Sequence, residues 1–176
     1  MEARKVSITI GAIAALLVLA MMLIRFLNGS MIGTGTRYAS VIRVISSAEA
    51  SYAASYPNFG FAPNLSALGP TIGPGEDCSA LHACLIDNVL ACPESIGEGW
   101  CPKSGYRYNI QSSSKNSPYK DYWLSVTPIS LYEKGKSYCL TSDGKLRSET
   151  VTPLVRPYSL QECLALPRDP IAETGH

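Results

Sequence analysis

Six cysteines, Cys78, Cys84, Cys92, Cys101, Cys139 and Cys163, hold most of the reactive side-chain chemistry of this 176-residue chain. All six follow an uncharged N-terminal run and none lies within it. An even count on one side of a membrane anchor points to disulfides in an oxidising compartment. Six cysteines allow fifteen pairings. The separations favour nearest neighbours: Cys78–Cys84, Cys92–Cys101 and the longer closure Cys139–Cys163. The competing chemistry is zinc, because Cys78-x3-His82-x-Cys84 mixes thiols with an imidazole. That spacing contains no C-x2-C pair, and His82 is the only internal histidine, so no metal and no cofactor are expected.

Other reactive residues fit turns better than sites. Gly135-Lys136-Ser137 has the ending of a phosphate-binding loop, but Ser130 stands where the first glycine belongs and no βα unit surrounds it. It reads as a turn between two strands. No G-x-S-x-G elbow is present, and no histidine is placed to act as base for a serine or cysteine, since His176 is the last residue. Glu76 and Asp77 share a glycine-proline loop and read as solvated. Asp143 could hold calcium with neighbouring carbonyls, but Asp143-Gly144 in a tight turn accounts for it. The ten tyrosines suit packing rather than catalysis. The chain does not read as an enzyme.

The elements that carry these residues begin with Val6–Ile24, nineteen residues without a charge. As a helix they span ~28 Å, close to the ~30 Å of a bilayer core. Phe26 and Leu27 extend the run, and Arg25 can snorkel to the headgroups. Residues 6–27 are therefore expected to be a transmembrane helix, with 1–5 cytoplasmic. A cleaved signal is the alternative, because Met1–Lys5 is a fair n-region; against it, the run is long for an h-region and no A-x-A precedes a plausible cut. Arg25, Arg37 and Arg43 after the helix balance Arg4 and Lys5 before it, so orientation rests on the cysteines. Without the anchor's Arg4, Lys5, Arg25 and Glu2, twelve basic and thirteen acidic residues remain, a net charge near −1. The basic residues are scattered, which excludes a nucleic-acid footprint.

Residues 28–36 hold three glycines and read as a hinge. Tyr38, Val41, Ile42, Ile45, Ala48 and Tyr52 then recur at helical steps, while Arg37, Ser40, Arg43, Ser47 and Glu49 fall mainly elsewhere. This predicts an amphipathic helix over 36–56, ended by Pro57. Residues 59–102 are rich in proline and glycine, with a helical turn predicted at Asn64–Leu68 and a short helix at Leu81–Ala91. Strands are predicted at Tyr106–Ile110, Tyr122–Thr127, Ser137–Thr141 and Lys145–Arg147, the last two joined by Ser142-Asp143-Gly144. Residues 37–151 form one ectodomain, and the proline-rich tail 152–176 is draped on the sheet and pinned by Cys163. The expected class is α+β: a long hydrophobic-then-amphipathic helix packed on an antiparallel sheet of three to four strands, with a disulfide-rich loop.

Val44-Ile-Ser-Ser-Ala-Glu-Ala-Ser-Tyr-Ala-Ala-Ser-Tyr-Pro57 resembles the helix end of many bacterial pilin-like proteins. Phe61–Gly69, Ala83–Ala91, Lys103–Tyr106, Tyr122–Pro128 and Ser137–Arg147 continue that likeness in order, over residues 37–148. The chain thus resembles type IV pilins and the pseudopilins of type II secretion. The resemblance implies a pilin-like ectodomain, a single pass through a bacterial inner membrane, and an ectodomain in the periplasm or outside the cell. It also implies subunit contacts through the helix, with Tyr38, Val41, Ile42, Ile45 and Tyr52 as assembly candidates. The partners expected are the lipid bilayer, other pilin-like subunits or secretion and pilus assembly proteins, and further copies of the chain in an oligomer or filament.

The N-terminus departs from that family. Prepilins carry a short leader, a cut after glycine or alanine, and then Phe-Thr-Leu-Ile-Glu. Here Met1-Glu-Ala-Arg-Lys5 passes directly to Val-Ser-Ile-Thr-Ile10, and no acid lies from Ala3 through Gly35. The expected function is a structural subunit or accessory of a pilus or secretion filament. The alternative is a membrane-tethered binding module that does not polymerise.

Overall fold

The computed structural model describes residues 34–71, 77–92, 99–130 and 135–169. The chain divides into two compact units, Met1–Ala39 and Ser40–His176. Of the first, only the opening of helix α1 (Thr34–Ser55) is described, and Tyr38 there is buried. The apolar run 6–27, and the hinge up to residue 33, lie outside the described residues. Among the described residues, no helix is long and apolar enough to cross a membrane.

The second unit is built on a five-stranded antiparallel meander in the order β1 (Cys101–Lys103), β2 (Tyr106–Ser112), β3 (Tyr122–Pro128), β4 (Gly135–Thr141), β5 (Leu146–Val151). The expectation of a long hydrophobic-then-amphipathic helix on three or four strands is therefore corrected. The sheet dominates, and the described helices are α1 and three pieces of four to six residues: α2 (Leu65–Leu68), α3 (Asn88–Ala91) and α4 (Leu160–Ala165). The strand that the sequence did not announce is β1. It is three residues long and carries Pro102, which is tolerated because an edge strand needs only half of its backbone groups paired. Ser104 and Gly105, both at positive φ, form its two-residue turn into β2.

Strand pairing sorts the side chains onto two faces. Tyr108, Leu140, Leu124, Val126, Ile110 and Tyr138 share one face, as the pairs Tyr108↔Val126, Ile110↔Leu124 and Val126↔Tyr138 require. All six are buried. Helix α1 meets this face through Ser46, which hydrogen-bonds the Tyr122 hydroxyl, and Phe61 packs edge-on against the same ring at 5.0 Å. Burying residues such as Ile45 and Leu124 completely contributes ~1.5–3 kcal/mol each.

The other face of β3 carries Trp123, Ser125 and Thr127, and it is covered by the tail. Trp123 Nε1 donates to Tyr158 O at 2.7 Å, Tyr158 N donates to Ser125 Oγ at 3.1 Å, and Leu154 N donates to Thr127 Oγ1 at 2.9 Å. Trp123, Cys139, Tyr158 and Cys163 form a buried cluster here with Leu154, Leu160 and Leu166. Thus the tail expected to drape over the sheet does so, and it also forms α4, which begins in a capping box between Ser159 and Glu162. Residues 167–169 then run beside β5, with Ser148 N to Pro167 O at 3.0 Å and Asp169 N to Leu146 O at 3.0 Å. That covers the second sheet edge.

Three further expectations change. Thr34–Thr36, read as part of the hinge, are helical. The helix read over Leu81–Ala91 is confined to Asn88–Ala91, because Ser79–His82 is a hydrogen-bonded turn and Asp87 caps the helix by accepting from Leu90 N. Gly135-Lys136-Ser137 is not a turn: all three residues belong to β4, where Ser137 Oγ lies 2.9 Å from Thr127 Oγ1.

Candidate functional site

Two of the three cysteine pairs are joined. Cys78–Cys84 and Cys139–Cys163 are disulfides, each with a Cα–Cα distance of 5.6 Å. The first closes the Ser79–His82 turn, and the second ties β4 to α4. Cys78 and Cys84 are thereby removed from any zinc site with His82. Among the described residues, no group of His, Cys, Asp and Glu is arranged to hold a metal ion. Asp143 uses both carboxylate oxygens within its own turn. Oδ1 accepts from Thr141 Oγ1 and Lys145 N, and Oδ2 pairs with Lys145 Nζ at 2.6 Å. Burial opposes ionisation there, yet these partners hold the carboxyl well below its usual range.

Cys92 and Cys101 carry free thiols. Cys92 ends α3 in the left-handed conformation, and Cys101 opens β1. The pairing expected from their separation is not formed, although the two residues lie side by side. Cys92 Sγ reaches Trp100 O at 3.8 Å, and Cys101 Sγ reaches Ala91 O at 4.0 Å.

Val41, Ile42, Ile45 and Tyr52, four of the five residues put forward for assembly, are buried within the second unit. Tyr38, the fifth, is buried as well and belongs to the first unit. The stripe is therefore engaged within the chain. The side of α1 that remains exposed carries Arg43, Val44, Ser47, Ala50, Ser51 and Ala54.

The residue that the helical reading misplaced is Glu49, assigned to the polar side and found fully buried. Its spacing held the signal. Glu49 lies four residues after Ile45 and three before Tyr52, which sets it on the same stripe. Its Oε2 accepts from Ala62 N at 2.8 Å, while Oε1 has no hydrogen-bond partner among the described residues. Burial pushes the carboxyl up to about 8, against a smaller opposing effect of the Ala62 N–H. Tyr52 and Tyr122 lie close enough for the charge of Glu49 to raise their phenol pKa values, in each case after the larger effect of burial. One turn along, the Tyr52 hydroxyl donates to Ala80 O at 2.6 Å. Glu49 and Tyr52 thus fasten the loops around Ala62 and Ala80 to the end of α1.

A cavity of about 310 Å³ opens beside Tyr52, lined by Phe59, Leu81, His82 and Tyr119 among others. Phe59 and Leu81 are exposed at its rim. Compared with family models, with curated proteins and with solved structures, the chain matches none.

Proposed function

We propose that this chain is a non-enzymatic, membrane-tethered protein, a structural subunit or accessory of a filament of the type IV pilus or type II secretion kind. The observation that carries the reading is the arrangement of α1. The apolar run of residues 6–27 leads toward this helix in sequence, one side of the helix is buried, and the opposite side stays exposed over about three turns from Arg43 to Ala54. The ordered likeness of residues 37–148 to pilin-like proteins supports the same reading. The disulfides Cys78–Cys84 and Cys139–Cys163 support a location outside the cytoplasm, on the outer side of a bacterial inner membrane. In this reading the subunit contacts come from the exposed side of α1, not from Tyr38, Val41, Ile42, Ile45 and Tyr52. The partners are the bilayer and other pilin-like subunits or assembly proteins.

The test is cross-linking in cells that carry the native filament machinery. A single free cysteine placed by V44C or A54C in a chain that also carries C92S and C101S, probed with a short thiol cross-linker, should give a ladder of high-mass species that also appears in sheared surface material. A cross-linked pattern limited to the monomer, with all protein retained in the membrane fraction, would overturn it.

One feature favours a second reading, a tethered binding module that does not polymerise. The run from Ala3 to Gly35 contains no acid, and none of its glycines is followed by an aromatic residue. The mass of the mature N-terminal peptide separates the two: retention of Ala3–Lys5 speaks for the module, and a new N-terminus at the head of the apolar run speaks for the filament.

A further inference from the structure

The reduced pair Cys92 and Cys101 is placed as two partners of one reaction. Each sulfur lies against the carbonyl of the residue preceding the other cysteine, Trp100 O for Cys92 and Ala91 O for Cys101, so the side chains cross. Cys92 also lies close enough to Cys101 to perturb its thiol. Both line a single cavity of about 240 Å³ with Asn64, Ser66, Asn109 and Ile110. The two differ in access: Cys101 is buried, whereas Cys92 is partly exposed. We infer that Cys92 and Cys101 form a thiol–disulfide exchange site, with Cys92 as the attacking thiol, Cys101 as the resolving thiol, and a disulfide R–S–S–R as the oxidant.

The exchange balances in two steps. The Cys92 thiolate attacks one sulfur of R–S–S–R, forming a Cys92–S–S–R mixed disulfide and releasing RS⁻. Cys101 then loses its proton and attacks the Cys92 sulfur, forming Cys92–Cys101 and releasing the second RS⁻. Two protein thiols are oxidised by two electrons, one external disulfide is reduced to two thiols, and the two protons pass to the released thiolates. The order follows from access. Burial, reinforced by the neighbouring Cys92, pushes the Cys101 thiol pKa up, which leaves it protonated and slow toward an outside disulfide. Once the mixed disulfide stands beside it, the adjacent sulfur is its nearest electrophile. The other four cysteines are already bonded, so this pair holds the remaining reducing equivalents of the described residues. Oxidation joins the C-terminal cap of α3 to the first residue of the edge strand β1.

The test uses the full-length protein in detergent, with glutathione disulfide as probe and peptide masses as readout. Unfolded in denaturant for labelling, the reduced protein should take two maleimide labels. After exposure to glutathione disulfide both labels should be lost, and the peptides bearing Cys92 and Cys101 should be joined, two hydrogens lighter. C101S should accumulate glutathione on Cys92, while C92S should leave Cys101 unmodified under the same conditions. Retention of both maleimide labels after oxidation, with Cys139–Cys163 intact to report a folded chain, would overturn the exchange site. Glutathione on Cys101 of C92S as readily as on Cys92 of C101S would overturn the assigned order. The wild-type measurement stands without either variant, so misfolding of a variant does not remove the test.

Discussion

Oε2 of Glu49 accepts the backbone N–H of Ala62 at 2.8 Å, and both residues are fully buried. A carboxyl held this way satisfies a loop amide that has no other partner among the described residues, at the cost of its own solvation. The single hydrogen bond does not compensate for the lost water, so the acid form is favoured up to about pH 8.

A pH dependence of stability follows from that shift. The folded-state pKa lies above the unfolded one, so the contribution of Glu49 is fully present below about pH 4.5 and is lost as the pH rises toward and through 8. Within that window the slope from this one group approaches about 1.4 kcal/mol per pH unit. Urea melts from pH 4 to 9 should show wild type falling relative to E49Q across the window, since glutamine keeps an acceptor for Ala62 N without titrating. Parallel curves for the two proteins would contradict the assignment.

The Cys139–Cys163 bridge should matter more for stability than Cys78–Cys84, because it closes the longer loop, 24 residues of separation against 6. Replacing Cys139 and Cys163 together by alanine is expected to cost about 2–4 kcal/mol in a denaturant titration. The same variant should raise hydrogen exchange at Leu160–Ala165, whose helix is anchored to β4 through that bond.

Two glycines should respond differently to alanine. Gly60 has φ +74°, and a Cβ there would lie 2.3 Å from the carbonyl oxygen of Tyr119. Gly144 has a nearly identical φ of +76° but open space around it. G144A should therefore cost only the left-handed backbone penalty of ~1–2 kcal/mol. G60A should cost more, because the Gly60–Tyr119 bridge must also shift. Equal melting temperatures for the two variants would count against the described approach.

Tyr52→Phe removes the hydroxyl that reaches Ala80 O at 2.6 Å while leaving the ring, which packs 5.0 Å from Tyr56. The expected loss is about 0.5–1.5 kcal/mol. Faster proteolysis or exchange near Ala80 in Y52F, with the sheet unchanged, is the local signature to measure.

Strands β2 to β4 were legible because their aromatic and branched residues alternate and because Pro128 and Asp143-Gly144 mark their ends. What stayed hidden had competing local signals. Cys101-Pro102-Lys103 lacks strand formers and pairs only because β2 offers it an open edge. Helix α4 was announced by Ser159-x-x-Glu162, a capping box obscured by the prolines around it. The Leu81–Ala91 run looked helical in composition, yet Asp87 is a better cap than helix interior, and its pairing with Lys103 holds it there. The charge of Glu49 points to the polar side of α1, whereas its spacing from Ile45 and Tyr52 sets it on the buried stripe. The apolar stripe of α1 could be read, but its burial within the chain, with the opposite side left exposed, needed the three-dimensional arrangement.

The hydroxyl-bearing face of β3 has a consequence for the order in which the protein is completed. Ser125 and Thr127 accept hydrogen bonds from Tyr158 N and Leu154 N, and Trp123 gives its own to Tyr158 O. These partners come about thirty residues later in the chain. As the polypeptide emerges from its N-terminus, the helix-facing side of the sheet can close while the tail-facing side still stands in water, its polar groups solvated and Trp123 uncovered. The later stretch is the one that dries the sheet. A chain ending before residue 152 would keep its meander but present an open, wet side of β3 to quality-control proteases.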